Sequence, residues 1–261
     1  MKRRLQSACL LFILLSGISC TVKEERTDCP CFLHVSFAAP DTSGTAEVLG
    51  WGTGRLFREK VRIESSRPAW IRPVEKGYLI LSACKGVGNA SLDGHQVTVR
   101  AGQQSDSLYA FFTRVDATGD LAHAEVRFRK QFATVFLDIR KPAAVVRKCA
   151  FLVEGNTCGF DLLDFTPVPG PFRFQPRSRE GESIVSFRVP RQSDLSLTVT
   201  VCPEGGPAAR IPLGERVERL GYRWDTEELQ DIYVSVDLAW GFVKIGIAGW
   251  EQGDTFQLIE I

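Results

Sequence analysis

The sequence has one methionine, the initiator, and three histidines, His34, His95 and His123, in separate segments. None stands in His-x-x-x-His or Glu-x-x-His spacing, which removes the helical zinc-hydrolase motifs. There is no Gly-x-Ser-x-Gly elbow. Gly52-Thr53-Gly54 and Gly86-Val87-Gly88 lack the rest of a phosphate-binding fingerprint and read as turns. Asp116 and Asp120 have no EF-hand spacing after them and read as a solvated linker. The net charge is +1, from 32 basic and 31 acidic residues, so the electrostatic footprint of a nucleic-acid binder is missing. No apolar run beyond the first fifteen residues is long enough to span a bilayer. These gaps imply a chain that is not an enzyme, uses no cofactor or metal, and does not bind nucleic acid. A pair of carboxylates, which leaves no fixed spacing, is the one catalytic device they do not address.

Helical periodicity is equally scarce, and alternation replaces it. Leu195, Leu197, Val199 and Val201 alternate with Ser196, Thr198 and Thr200; Ile232, Val234, Val236 and Leu238 repeat the pattern. Such two-residue periods describe half-buried antiparallel strands. Further strands are expected at Cys31–Phe37, Arg55–Glu64, Tyr78–Ala83, Gln96–Arg100, Ser107–Phe112, Glu125–Ile139, Ala150–Glu154, Cys158–Leu163, Ser183–Val189, Phe242–Ala248 and Thr255–Ile261. Turn signals such as Gly155-Asn156 and Gly205-Gly206-Pro207 separate them. A helical turn is expected only at Thr226–Gln230, capped by Asp225. Many short strands at this spacing imply an all-β chain of two sandwiches. The polar stretch Asp116–Asp120 sets the boundary, giving domains at 29–119 and 120–261.

The N-terminus carries a different signal. Lys2-Arg3-Arg4 precedes an apolar stretch from Leu5 to Leu15, and the small-x-small sequence Gly17-Ile18-Ser19 places cleavage before Cys20. Residues 1–19 are therefore expected to be a signal peptide. The site resembles the lipobox of bacterial lipoproteins, departing from it at Gly17, where leucine is usual. Cys20 is the lipidation candidate; an ordinary cut leaving a free N-terminal thiol is the alternative. Residues 20–28 form a charged tether, and Lys23-Glu24-Glu25 resembles the surface-export signal of Bacteroidetes lipoproteins, although three charges also suit a plain linker.

Six cysteines follow: Cys29, Cys31, Cys84, Cys149, Cys158 and Cys202. An even count in an exported protein suggests disulfides, with fifteen full pairings open. Cys29-Pro30-Cys31 lacks Cys-x-x-Cys spacing. On an extended chain both thiols face one side, here expected to be the core side, so they are poorly placed to bond each other. The expected split leaves three cysteines in each domain, so one bridge crosses between domains or each keeps a free thiol.

Asp28-Cys29-Pro30-Cys31 leading into Leu33–Phe37, Ala101-Gly102-Gln103 ahead of Ser105–Ala110, Val126–Ile139 enclosing Lys130-Gln131-Phe132-Ala133, Asp231-Ile232-Tyr233-Val234, and a closing Gly249-Trp250 occur in this order. Together with the lipoprotein-like start, this series resembles the lipid-tethered anchor subunits of Bacteroidetes type V fimbriae, the minor-fimbrium anchor family. The resemblance implies two transthyretin-like sandwiches in tandem. It also implies lipid attachment to the outer membrane through Cys20, and a fimbrial stalk subunit (pilin) as partner. In that family stalk subunits lose their first strand and accept one from a neighbour. Here a cut at Arg26 would spare Cys31–Phe37, and stripping that strand would require cleavage near Arg55 or Arg58. The expected arrangement keeps the strand and leaves no acceptor groove. The apolar tail, with Phe256, Leu258, Ile259 and Ile261, is then either a donor strand or the last strand of its own sheet. The competing reading is a surface glycan-binding or adhesive lipoprotein, with Trp51, Trp70 and Trp224 as stacking platforms; Trp240 and Trp250 suit packing positions.

Overall fold

The structure, a computed structural model, describes residues 28–38, 44–52, 57–64, 69–140, 149–177, 184–237, 242–247 and 259–260. The first half contributes β1 (Cys31–Phe37), β2 (Gly44–Gly52), β3 (Phe57–Ile63), β4 (Ala69–Val74), β5 (Tyr78–Lys85), β6 (Ala90–Asp93), β7 (Gln96–Val99), β8 (Tyr109–Asp116), β9 (Leu121–Val126) and β10 (Arg129–Lys130). After Gln131 come β11 (Phe132–Arg140), β12 (Cys149–Asp161), β13 (Pro167–Phe174), β14 (Ile184–Pro190), β15 (Thr198–Pro203) and β16 (Ala209–Ile211). A short helix α1 (Leu213–Arg219) precedes β17 (Ile232–Asp237), β18 (Phe242–Ile247) and β19 (Ile259–Glu260).

The strands form two sandwiches. In the first, the sheet β4-β1-β9 faces the sheet β10-β8-β5-β2-β3; in the second, β14-β11-β17-β18-β19 faces β16-β15-β12-β7-β6, with β13 added to β12. β1 shows why the sequence demands this. Its residues Cys31, Leu33, Val35 and Phe37 are 0–5% exposed, while the intervening Phe32 and Ser36 point outward. The inward set meets Val48, Leu81 and Val115 of the opposing sheet. Each fully buried leucine or valine there contributes about 1.5–3 kcal/mol relative to exposure.

Both sandwiches repeat one arrangement, around β1 in the first and around β11 in the second. β1 lies between antiparallel β4 and parallel β9, and β11 lies between antiparallel β14 and parallel β17. The two parallel pairs depart from the expected purely antiparallel pairing. They arise because a late strand returns beside the first one after a long excursion through the opposite sheet. β9 lies beyond the boundary expected at 119/120, yet pairs with β1; β7 lies before it, yet pairs with β12. The first sandwich therefore continues through β10, whose Lys130 still pairs with Tyr109.

A third apolar cluster joins the halves. Leu49, Cys84, Leu108 and Ala110 on the far face of the first sandwich pack against Val97, Phe160 and Leu162. The Ser82 hydroxyl donates to the Leu162 carbonyl at 2.7 Å across the same contact. Within the second sandwich Gly159 lets β7 lie close against β12, because a Cβ there would stand 1.9 Å from the Val97 carbonyl oxygen.

Other expectations change on inspection. Gly155-Asn156 is no turn: it sits inside the long β12, where Gly155 stays in register with Phe172 and the ladder is irregular only at Thr157. β13 has three prolines, which hide a strand in the sequence, but it pairs only with β12, an edge position that tolerates the missing donors. The helix lies at Leu213–Arg219 rather than at Thr226–Gln230. Leu213 and Val217, four residues apart, bury one face, and Gly221 at φ +83° ends the turn. Asp225 binds the Arg223 guanidinium instead of capping a helix. Within the described residues, the expected final strand is present only as Ile259–Glu260.

Removing side-chain volume from β1 should be costly. Leu33→Ala is expected to destabilise the first sandwich by about 2–5 kcal/mol, read as a lowered urea midpoint. A loss below about 1 kcal/mol would mean that β1 is not a core strand.

Candidate attachment and subunit-contact sites

The N-terminal attachment site begins outside the described residues, which start at Asp28 and so leave Cys20 undescribed. Cys29 is exposed, whereas Cys31 is fully buried. The expectation that both face the core fails because the strand starts only at Cys31; Cys29 precedes Pro30 in a bend outside the pairing. Burial pushes the Cys31 thiol up. Phe32 continues the strand and donates its amide to the Asp120 carbonyl at 2.9 Å, and Lys76 binds Asp120 at 2.8 Å. The tether therefore enters the first sandwich between the ends of β4 and β9.

The other cysteines lie in separate environments. Cys84 is fully buried in the contact between the halves, where desolvation pushes its thiol up to about 12. Cys158 is half-buried on β12, its sulfur 3.7 Å from the Val168 carbonyl, with burial again raising the thiol. Cys149 and Cys202 occupy neighbouring strands, but Cys149 pairs with Pro203 and Cys202 with Ala150. That one-residue offset puts the two side chains on opposite faces of the sheet. Among the described residues no disulfide joins Cys29, Cys31, Cys84, Cys158 or Cys202.

At the other end, Ile259 pairs with Val243 and Glu260 with Phe242, so β19 closes the edge of the second sandwich's own sheet. Phe256, Leu258 and Ile261 lie outside the described residues. Among the described residues the remaining sheet edges are β4, β9, β3, β10, β13, β14, β16 and β6. An unpaired edge offers backbone donors and acceptors to another chain.

The tryptophans are engaged in packing. Trp51 meets His95 edge-on at 5.3 Å, Trp70 tilts against Phe57 at 6.0 Å, and Trp224 meets Tyr222 edge-on at 4.8 Å. All three are half-buried; Trp240 and Trp250 lie outside the described residues. Trp224 borders an open cleft of about 900 Å³ that also touches Phe112, Phe165, Arg129 and Arg191. The cleft's cations are occupied by the protein itself. Arg129 binds Glu227 at 2.6 Å and Arg223 binds Asp225 at 2.6 Å. Arg191 is buried and donates to the Gln131 side chain at 3.0 Å, to the Lys130 and Thr226 carbonyls at 3.0 and 2.8 Å, and to the Trp224 carbonyl. Burial lowers its pKa because these partners, chiefly neutral oxygens, replace water without supplying a full countercharge. The sequence carried no signal for this residue. It ties the crossover at Lys130-Gln131 to the loop at Trp224–Thr226, a structural rather than catalytic arrangement.

No family model matches the sequence, and no curated protein is significantly similar to it. Solved structures do share its shape. A candidate polysaccharide-binding protein from Bacteroides thetaiotaomicron aligns with a TM-score of 0.66 at 11% identity, over 88% of this chain and 98% of that one. A candidate adhesin from Bacteroides ovatus aligns at 0.64 and 12% identity, over 89% and 96%. The fimbrial anchor protein Mfa2 from Porphyromonas gingivalis aligns at 0.61 and 14% identity, over 89% and 99%. The fold is that of Bacteroidetes adhesins and fimbrial subunits. None of these three proteins is described as an enzyme.

The thiol environments make an ordered prediction. In native protein, maleimide should modify exposed Cys29 first and leave Cys84 unmodified until urea unfolds the chain, as read by mass shift. Native labelling of Cys84 at the rate of Cys29 would contradict the buried contact.

Proposed function

We propose that this protein is a lipid-anchored outer-membrane fimbrial subunit that attaches a pilus to the cell surface through strand-mediated contact with a pilin. The observation that carries the reading is the end-to-end likeness to a fimbrial anchor, which covers 89% of this chain and 99% of that one. Two features of the chain support it. The sequence before the first sandwich reads as a lipoprotein leader ending at Cys20, which provides the membrane attachment. β1 is held on both sides, and a cut at Arg58, which lies within β3 paired with Leu49 and bound to Glu47 at 3.0 Å, would take β2 away together with β1. A subunit whose first strand stays in place offers no groove for a neighbour's strand. It can still join a fibre by donating one, and Phe256–Ile261 is the segment proposed to do so, by giving up the pairing of Ile259 and Glu260 with β18 for a place on the pilin. The packed state of Trp51, Trp70 and Trp224 weighs against the glycan-binding reading, since stacking on a sugar needs an open ring face.

One set of membranes tests both ends of the chain. Wild-type protein grown with a fatty-acid analogue should be labelled and should co-purify with pilin. Cys20→Ala should lose the label and its membrane retention. A chain lacking Phe256–Ile261 should remain in the membrane and lose the pilin. Unlabelled wild-type protein would overturn the anchor, and pilin retained by a folded, exported truncation would overturn donation by the tail.

A further inference from the structure

Among the described residues, seven large hydrophobic side chains are exposed: Phe32, Ile71, Tyr78, Leu121, Ile184, Leu195 and Tyr233. Three of them lie on one surface, the outer face of the sheet β4-β1-β9. Register divides that face into rows. The row nearest the tether is Pro73, Phe32 and Leu121; the next is Ile71, His34 and His123; the row farthest away is Ala69, Ser36 and Glu125. The surface thus passes from apolar, through imidazole, to hydroxyl and carboxylate within the length of one strand. Phe32, Ile71 and Leu121 are 49%, 54% and 51% exposed, so the apolar end is open to solvent. Tyr78, 69% exposed, begins the strand after Gly77, whose backbone pairs with Ala117 at this same end of the sandwich.

The fold does not require such a gradient. The corresponding sheet of the second sandwich has polar groups in every row: Thr134 beside Arg188, Ser186 beside the stacked Phe136 and Tyr233, and Asp138 with Ser235 beside Ile184. Lone exposed hydrophobics need no explanation, but three gathered toward one end of a single sheet face call for a partner.

We propose that the tether end of this face docks on the lipid surface, with Phe32, Ile71 and Leu121 entering the boundary between headgroups and acyl chains while Glu125 stays in water. The chain outside the described residues argues for that occupant. Roughly ten residues separate Cys20 from Cys31, and fully extended they reach at most about 35 Å. An acyl chain on Cys20 would hold the Phe32 end of β1 within that distance of the bilayer. Side chains with an apolar body and a polar tip favour this interfacial zone, and the His34–His123 row, with ring centroids 5.2 Å apart, falls at the level where water returns. An apolar protein contact beside the lipid would add to its hold on the membrane. It would also fix how the sandwiches stand relative to the membrane.

The inference rests on the lipid-anchor reading for its geometry, but its test does not use the lipid. Mature Cys20→Ala protein is mixed with vesicles of phosphatidylethanolamine and phosphatidylglycerol and sedimented. It should bind, and binding should persist at high salt, because apolar contact is not screened. Combining Phe32→Ser with Leu121→Ser should lower the bound fraction at least about fivefold. Ile184→Ser with Tyr233→Ser, on the other sandwich, should leave it unchanged. Circular dichroism of each variant verifies the fold, and Ile71→Ser provides a milder third reduction should the double variant misfold. No vesicle binding by the parent protein would overturn the proposal, as would an equal loss in the control pair. Self-association of the parent that disappears in the Phe32 variant, without vesicle binding, would make the face a contact between copies and overturn it too. Failure of fatty-acid labelling would remove the anchor while leaving the vesicle result to stand or fall separately.

Discussion

The position of β1 between β4 and β9 governs the first sandwich. Four of its side chains fill the core, and both of its backbone edges are paired. Removing such a strand would open a groove lined by Val48, Leu81 and Val115, and would leave two rows of backbone hydrogen-bonding groups unmet. A domain built this way either keeps its first strand or must borrow another. The second sandwich repeats the layout around β11, whose Val135 and Leu137 are fully buried. There, however, β11 follows directly from Gln131 and the first sandwich, so covalent continuity holds it in place.

The two sandwiches are coupled by contacts of different kinds. The apolar cluster around Leu108 and Phe160 supplies non-directional adhesion, and Arg191 supplies direction. A buried guanidinium with four protein acceptors specifies one arrangement of the crossover, since any shift strands a desolvated charge. Phe165 completes the joint: its backbone takes φ +63°, unusual for a bulky residue, and its ring meets Phe112 edge-on at 4.8 Å. Together these contacts make a continuous link between the first sandwich and the second.

Alternation revealed strands whose two faces differ. Cys31–Phe37, Ile232–Asp237 and Ile184–Pro190 were legible to within a residue or two because one side is core and the other solvent. Strands buried or broken in other ways were not. β2 is buried on both faces near Leu49 and Gly50, β13 is interrupted by prolines, and β4 alternates weakly because it lies at an edge. The boundary at Asp116–Asp120 looked like a linker because it is polar. It is instead a turn: Asp116 accepts the Thr118 amide and hydroxyl at 3.0 and 2.6 Å, and the chain then returns beside β1. Parallel return is a long-range event that local composition cannot encode. The candidate attachment sites divide the same way: Cys20 rests on a local motif, whereas Arg191 and the outer face of β4-β1-β9 exist only once distant strands are in register.

The mass of the protein recovered from outer membranes bears most directly on whether β1 stays in place. An intact chain beginning at Cys20, with Cys31–Phe37 present in the N-terminal peptide, is the predicted result. A mature N-terminus after Arg55 or Arg58, with β1 and β2 both gone and the protein still folded, would contradict the account, because each sheet of the first sandwich would then have lost an inner strand.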